Sequence, residues 1–383
     1  MSSAALGPDS VGTGPAGTGA AGTGPAGTSA ARLGADDIEP AASPGPAAAG
    51  GPRMLRLPRL GYLGTKLAGS VVSFAVVLVI GFVLFNLMPA DPVRTMTRGR
   101  PVSPAQMAQL RVQLGLNRPV WARFLTYLND TAHGRLGYSW QYQQSVASLV
   151  MSRLGPTLLL MGTSFLISVA LGLWLGVRSG WRAGSLFDRL TSGTALTLWS
   201  VPTFWLGMIL LIVFSVGIGP VTGILPAGGM SDPTLAQTGL THYLDVARHL
   251  VLPAVTLVLV VYAQYVTIMR SSIIEQLGSP YLLTARAKGL TDAAVRRKHA
   301  TPNALLPSVT MIFMQLGGLV SGAVTVETVF SWPGLGYLTY QALKIPDLPL
   351  LQGTFIVFSA SVIVMNLLAD LVYRVLDPRV RAT

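Results

Sequence analysis

The sequence predicts an all-α integral membrane protein with six transmembrane helices and both termini in the cytoplasm. A low charge content, six long windows without any charged residue and an uneven distribution of Lys and Arg lead to that prediction. Of 383 residues, 51% are hydrophobic and 11% are charged, and the mean hydropathy is +0.55. Soluble globular chains carry about 25% charged residues. Buried helices of a large soluble protein are therefore the disfavoured alternative.

The charge-free windows mark the predicted spans. A spanning helix needs about 20 predominantly apolar residues. The windows are 67–90, 154–177, 190–231, 249–269, 299–326 and 348–369. The third is too long for one straight helix, and Gly and Pro interrupt its second half in "VGIGPVTGILPAGG", so we expect one span there, at roughly 195–217. Pro202 is expected to kink that span, because it removes a backbone donor and clashes one turn back.

Lys and Arg fall mostly on one side of the predicted topology. With the N-terminus inside, sixteen of them lie in four cytoplasmic segments: the N-terminal flank, 178–189, 270–298 and the C-terminus. The short outer loops hold only Arg248 and Lys344. This asymmetry follows the positive-inside rule. The first outer region, 91–153, carries eight arginines, but it is long enough that its charge no longer governs orientation. The net charge of +12 thus indicates a membrane topology and no nucleic-acid partner.

Composition divides the chain into five parts. Residues 1–53 form a Gly/Ala/Pro-rich cytoplasmic tail with the near-repeat "GTGPAGTGAA", "GTGPAGTSAA", which is expected to be disordered. Met54 resembles a natural start, so whether the tail is translated stays open. The other parts are an N-terminal flank with the first span (54–90), an extracellular helical subdomain (91–153), a five-helix core (154–376) containing a cytoplasmic segment (270–304), and a C-terminal tail (377–383).

The extracellular subdomain is predicted from two helical patterns. "SPAQMAQLRVQLGL" has Ser103 as a helix cap followed by proline, and "RPVWARFLTYLNDT" places aromatic residues on one face. Helices that merely lie on the lipid headgroups are the alternative.

Small residues recur at helical spacing within the core. Gly172, Gly176, Gly180 and Gly184 follow one another every four positions, and Gly318 and Gly322 repeat the interval. Such spacing permits close approach of helices. We expect packing within the chain, with a seam between copies of the chain as the alternative.

The sequence contains none of the common nucleotide-binding or catalytic motifs. It has no Cys, no Gly-Lys dipeptide of a phosphate-binding loop, no H-E-x-x-H and no G-x-S-x-G. The six windows contain no Asp, Glu or Lys, which ion-coupled carriers keep within their spans. We therefore expect a non-catalytic subunit that guides a solute and takes its energy from another protein. A self-sufficient channel or carrier and an intramembrane enzyme are the alternatives.

The segment 270–304 is basic and helix-forming, and Gly289 divides it. "SPYLLTARAKGL" predicts a short helix that ends at this glycine, and "TDAAVRRKHA" predicts a second helix capped by Thr291. Two short helices that meet at a glycine would form an angular projection able to enter a groove of another protein. An ordinary positive-inside loop needs the charges but not this spacing.

The spacing in "LTARAKG" carries a resemblance to a known family. Gly289 follows Ala285 by four residues, Pro302 lies thirteen residues further on, and "NALLP" ends at Pro307. This pattern resembles the cytoplasmic motif of the membrane permease subunits of ABC importers, in the dipeptide/oligopeptide/nickel branch. Leu283 stands where the motif has Glu, so contacts that need that carboxylate are in doubt.

The resemblance covers about residues 54–381 and is closest to the B-type, first permease of the pair. Its segments occur in the family's order. They are "NLMPADPV" (86–93), "LGLNRPVWARFLTYL" (114–128), "GRLGYSWQYQQSV" (134–146), "SVPTFWLG" (200–207), "ILPAGG" (224–229), "VETVFSWPGLGYL" (326–338) and "LLADLVYRVLDPRVR" (367–381).

The resemblance implies a type I ABC importer permease fold in the cell membrane of a prokaryote. Its partners would be a second, C-type permease, one or two ATPase subunits and an extracellular solute-binding protein. ATP and Mg would be bound by the ATPases and no cofactor by this chain. The cargo would be di- or oligopeptides, or else nickel, glutathione or another small solute.

A coupling helix would dock in a groove of one ATPase. Its residues would be Leu282, Leu283, Thr284, Ala285, Arg286, Ala287, Lys288, Gly289 and Leu290. Leu282, Leu283 and Ala285 would bury in that groove, whereas Arg286 and Lys288 would pair with acidic groups at its rim. For the translocation pathway we expect contributions from Pro202, Gln315 and Gly318.

Overall fold

Long apolar helices dominate this protein. The computed structural model describes residues 60–87, 93, 103–113, 115–218, 221–235, 238–320 and 323–376. The predicted tails, 1–53 and 377–383, lie outside the described residues.

Thirteen α-helices and two short β-hairpins make up the described elements. The helices are α1 (Leu60–Leu87), α2 (Pro104–Gln113), α3 (Val120–Ala132), α4 (Val146–Trp181), α5 (Leu186–Ser200), α6 (Thr203–Leu211), α7 (Leu240–Leu277), α8 (Pro280–Ala287), α9 (Asp292–Val295), α10 (Thr301–Leu316), α11 (Val324–Val329), α12 (Leu335–Lys344) and α13 (Leu348–Leu376). The antiparallel hairpins pair β1 (Tyr138–Ser139) with β2 (Gln144–Ser145), and β3 (Gly217–Ile218) with β4 (Val221–Thr222). Single π-helical turns, Ile212–Val216 and Arg296–Ala300, extend α6 and join α9 to α10.

Four of the helices are long and apolar enough to cross a membrane within the described residues. They are Gly64–Asn86 in α1, Val146–Trp181, Leu240–Leu277 and Leu348–Leu371 in α13. A fifth candidate is the pair formed by α5 and Thr203–Val216, which meet at an angle of 99°. The window 299–326 contains α10, whose 16 residues are fewer than a span requires. The expectation of membrane helices is confirmed, and the sixth span stays a prediction.

Pro202 separates the two arms of the bent pair. It is the residue before α6, with φ −58° and ψ 125°, so it ends one helix and precedes the next. The predicted kink is therefore a complete break, because the residue before a proline disfavours helical geometry and the proline offers no N–H.

The helices α4 and α7 pack against each other along a line of glycines. A Cβ added at Gly176 would lie 2.7 Å from the Cβ of Met269, and one added at Gly180 would lie 2.7 Å from the carbonyl oxygen of Arg270. Gly172 has equally close neighbours on α7. The predicted packing within the chain is confirmed for these three positions. Gly184 lies in the turn after α4 with φ +82° and open space around it.

A buried ion pair fastens α5 to α7. The carboxylate of Asp188, whose exposed fraction is 2%, accepts hydrogen bonds from Arg270 Nε at 2.5 Å and Nη2 at 2.8 Å. The Ser179 hydroxyl and the Gly184 N–H also donate to it. Because charge-assisted, two-pronged hydrogen bonds fix orientation, this pair sets the direction in which the bent span leaves α4.

The region 91–153 contains the two predicted helices. Ser103 caps α2 reciprocally: its hydroxyl accepts from the Gln106 N–H at 3.3 Å, and the Gln106 side chain accepts from the Ser103 N–H at 3.2 Å. On α3, the rings of Phe124 and Tyr127 lie 5.1 and 5.6 Å from the ring of Phe82 on α1. No break falls at the predicted boundary of 153, because α4 already begins at Val146.

Candidate functional site

The segment 270–304, which the sequence predicts to be cytoplasmic, contains an angle of two short helices, which we call the elbow (280–295). The chain leaves α7, turns into α8, and turns again before α9. Gly289 has φ +79° at the second turn, a conformation that favours glycine. The N–H of Gly289 bonds to the Arg286 carbonyl, and the Leu290 N–H bonds to the Ala285 carbonyl, so the turn closes the end of α8.

Thr291 caps the second helix, as its sequence predicts. Its side chain accepts a hydrogen bond from the Ala294 N–H at 3.4 Å. The helix does not stop after Ala300, however, since a π-helical turn leads directly into α10. Pro302 is the second residue of α10, directly after the π-helical turn.

One face of α8 is buried against the protein's own core. Leu282 is fully buried and Ala285 is 5% exposed. They belong to a cluster with Met269 and Ile273 of α7 and Val295 of α9. The expectation that Leu282, Leu283 and Ala285 share a face for the ATPase groove is therefore wrong for Leu282 and Ala285, which already face the chain's own helices.

The opposite face of α8 is exposed. Leu283 is 63% exposed, although buried leucine is the ordinary outcome in a packed helix. Its exposed neighbours are Thr284, Arg286, Ala287, Lys288 and Gly289. This face carries one large apolar side chain surrounded by small and basic groups, and it lies at the outside of the elbow.

Arg286 has a partner within the chain. Its guanidinium lies 3.4 Å from a carboxylate oxygen of Asp292, and the other oxygen of Asp292 accepts a hydrogen bond from Trp181 Nε1 at 2.7 Å. Both side chains of the ion pair are largely exposed, so the pair is weak and Arg286 can exchange it for another carboxylate.

Two of the three predicted pathway residues lie together. Gln315 and Gly318 line a cavity of about 160 Å³ with Ser164 and Ser168 of α4. The side-chain amide of Gln315 donates to that of Gln264 on α7, at 3.0 Å. Five apolar side chains complete the lining, so the cavity is mostly apolar: Met161, Phe165, Leu257, Val261 and Leu319.

Pro202 lies elsewhere. It lines a separate open groove with Ser200, Phe204 and Trp205. The structure does not bring Pro202 to the cavity of Gln315 and Gly318.

Comparison with known proteins extends over almost all of the described chain. Residues 168–382 match the family described as binding-protein-dependent transport system inner membrane component, and residues 59–161 match its N-terminal membrane component. The chain belongs to this permease family. The resemblance to ABC importer permeases, and to their B-type member, is thereby confirmed.

Curated relatives of the permease are matched along nearly their full length. The dipeptide transport system permease protein of Escherichia coli (strain K12) is 37% identical over 84% of this chain and 99% of its own. The di/tripeptide transport system permease protein of Pseudomonas aeruginosa is 36% identical over the same shares of the two chains. The glutathione transport system permease protein of Escherichia coli O6:H1 is 34% identical, again over 84% and 99%.

The structure of the permease also shows residues that the sequence reasoning missed. Gln264, the partner of Gln315, lies inside the charge-free window 249–269 and was not predicted to be functional. Asp292 and Trp181, which hold Arg286, are 111 residues apart in sequence. Of these residues, only Gln264 could have been predicted from the sequence, because polar side chains within a span tend to be functional.

Proposed function

We propose that the permease forms half of the translocation pathway of an ATP-driven importer of di- and oligopeptides. The observation that carries this proposal is full-length similarity to permeases named for dipeptide and di/tripeptide transport. Because this sequence contains no phosphate-binding loop, the ATP would be bound and hydrolysed by a partner subunit.

The proposed topology has six spans with both termini in the cytoplasm. The sixth span would be the window 299–326, which contains α10. The charge asymmetry supports the orientation. The elbow and the tails would then face the cytoplasm, and α2 and α3 would lie outside, where a solute-binding protein would deliver its cargo.

The elbow is proposed as the coupling element for one ATPase. A second, C-type permease would complete the pathway, and one or two ATPases would lie beneath the pair. The exposed Leu283 would enter the ATPase groove, while Lys288 and Arg286 would meet acidic groups at its rim. Leu282 and Ala285 would transmit the movement inward, because they are packed against α7 and α9.

Another small solute is the second candidate for the cargo. The similarity to a glutathione permease favours it, since that relative is matched over the same share of the chain as the dipeptide permeases. Glutathione is itself a small peptide, so it shares amide and carboxylate groups with the dipeptides.

The test of coupling is the substitution Gly289→Asp. A side chain at φ +79° strains the turn, and the added carboxylate would oppose an acidic rim, while the open space around Gly289 leaves room for it. We expect the protein to remain in the membrane with its partner permease, and ATP-driven dipeptide uptake in proteoliposomes to be lost.

Gly134 provides a matched control for this variant. It follows α3 as Gly289 follows α8, with φ +70°, open space and an equivalent pair of backbone hydrogen bonds. Gly134→Asp should therefore cost similar stability but leave the association with the ATPases intact. Unchanged uptake in Gly289→Asp would exclude the coupling role of the elbow.

A further inference from the structure

A groove of about 920 Å³ lies beside the elbow, lined by the end of α4, the start of α5, α9 and the start of α10. Part of its wall is apolar and comes from Leu173, Val177 and Leu305. The other part is basic and consists of Arg178, Arg182, Arg296 and Arg297. A concavity of this size holds a small molecule or a headgroup.

None of the four groove arginines has an ion-pair partner among the described residues. The acidic residues of the adjoining elements are engaged elsewhere: Asp188 is held by Arg270, and Asp292 by Arg286 and Trp181. Four guanidinium groups thus face the groove without a compensating carboxylate.

The polarity of the groove changes in one direction along α4. Trp174 and Arg178 are four residues apart on α4 and share a helical face, and Arg182 follows directly after the end of the helix. The guanidinium carbon of Arg178 lies 5.1 Å from the centroid of the Trp174 ring and 5.5 Å from that of Phe187. Apolar residues are followed by an aromatic layer and then by basic groups, and aromatic residues are typical of the membrane–water interface.

The surface next to the groove is apolar and uncovered. Leu186 and Leu190 at the start of α5 are 72% and 59% exposed, and Trp174 is 54% exposed. Aromatic and apolar side chains at the end of a spanning helix are typical of the membrane–water interface.

We propose that this groove binds the phosphate of an anionic phospholipid in the cytoplasmic leaflet. Guanidinium groups match phosphate oxygens in geometry and charge, and basic pockets between spans on the cytoplasmic side bind anionic headgroups. The acyl chains would lie along Leu173, Trp174 and Val177. The assignment to the cytoplasmic leaflet depends on the orientation given under "Proposed function". The binding of the lipid does not depend on it.

The proposed lipid would touch the element that couples to the ATPase. Thr291, Ala293 and Ala294 of the elbow line the same groove as the arginines. A bound headgroup would therefore bridge the end of α4 to α9 and hold the elbow at the membrane surface.

Native mass spectrometry of the purified complex in mild detergent tests the proposal. Phosphatidylglycerol, phosphatidylcholine and the soluble headgroup analogue glycerol 3-phosphate are titrated separately. We expect saturable binding of phosphatidylglycerol, and binding about tenfold weaker in the double variant Arg296→Gln/Arg297→Gln, because each arginine near an anionic headgroup contributes several-fold in affinity. The matched double variant Arg189→Gln/Arg248→Gln, at exposed positions outside the groove, should bind like the unmodified protein.

Three results would overturn the proposal. Equal binding of phosphatidylcholine would remove the role of charge, and equally tight binding of glycerol 3-phosphate would make the ligand a soluble phosphate. Loss of the lipid whenever the ATPases are attached would show that an ATPase covers the groove.

Photolabelling supplies a second readout that needs no arginine variant. A phosphatidylglycerol with a photoreactive group on its acyl chain should label residues between 173 and 177, and labelling confined to other helices would also refute the site. Uptake is not part of either measurement. Failure of dipeptide transport would therefore leave this result standing, and failure of lipid binding would leave the transport proposal standing.

Discussion

The α4–α7 contact and the elbow are built on opposite principles. Along α4 and α7, glycines let the two backbones approach closely, and the Asp188–Arg270 pair holds α5 to α7 beside them. In the elbow, α8 buries Leu282 and Ala285 against the chain and leaves the adjacent Leu283 exposed. The contacts of the first region are all made within the chain. In the second region, one face of α8 packs against the chain and the other face is exposed.

The difference indicates which region supports the fold and which is available to a partner. Substitutions in the α4–α7 contact should lower stability and affect transport only through loss of folded protein. Apart from Gly289, where positive φ makes any side chain costly, substitutions on the exposed face of the elbow should affect transport and leave stability unchanged. The following variants test that separation, and each has a control on the same element or in the same network.

The largest effect is expected from comparing two neighbouring leucines. Leu282→Ala removes a fully buried side chain and should lower the free energy of unfolding by about 3 kcal/mol. Leu283→Ala, at an exposed position, should change it by less than about 0.5 kcal/mol but should reduce ATP-driven uptake. Denaturant unfolding in detergent and uptake in proteoliposomes measure the two quantities. Equal stability losses in the two variants would contradict the burial of α8 described above.

A smaller effect is expected at the ion pair between α5 and α7. Asp188→Asn leaves Arg270 without its carboxylate and should destabilise the protein by about 2 kcal/mol, less than for a fully buried pair because the Arg270 side chain is 32% exposed. Arg189→Gln, an exposed neighbour, is the control. Thermal unfolding in detergent measures the change.

A double-variant cycle measures the interaction energy between Asp188 and Arg270 apart from the contacts that each makes with other residues. If Asp188 and Arg270 act together, Asp188→Asn combined with Arg270→Gln should cost less than the sum of the two single changes. Simple additivity would show that the two groups act independently.

The smallest effects are expected at two glycines of α4, where the same change to alanine should alter stability in opposite directions. Gly176→Ala places a methyl group against Met269 and Val266 and should destabilise the protein by about 1 kcal/mol. Gly162→Ala on the same helix meets no atom within 4 Å, so it should be neutral or stabilise by about 0.5 kcal/mol. Equal shifts in the unfolding temperature of the two variants would contradict the close approach of α4 and α7.

The local features of the elbow could be predicted because they depend on neighbouring residues. The glycine at the end of α8 and the threonine cap of α9 lie where the sequence places them, since a turn with positive φ and a cap each need a particular residue type. The orientation of α8 could not be predicted in this way. Leu282, Leu283 and Ala285 are all apolar, and sequence alone does not say which of them meets Met269 and Ile273.

The same limit applies to the remainder of the chain. The sequence by itself determined the membrane class, the approximate positions of the long apolar helices, a kink at Pro202 and the family, because composition, periodicity and proline act locally. Only the tertiary structure decided that Asp188 meets Arg270, that Gln315 meets Gln264, and that two pairs of arginines far apart in sequence line one groove. Those contacts join residues that are tens of positions or more apart, and their geometry depends on how the helices pack rather than on any one segment.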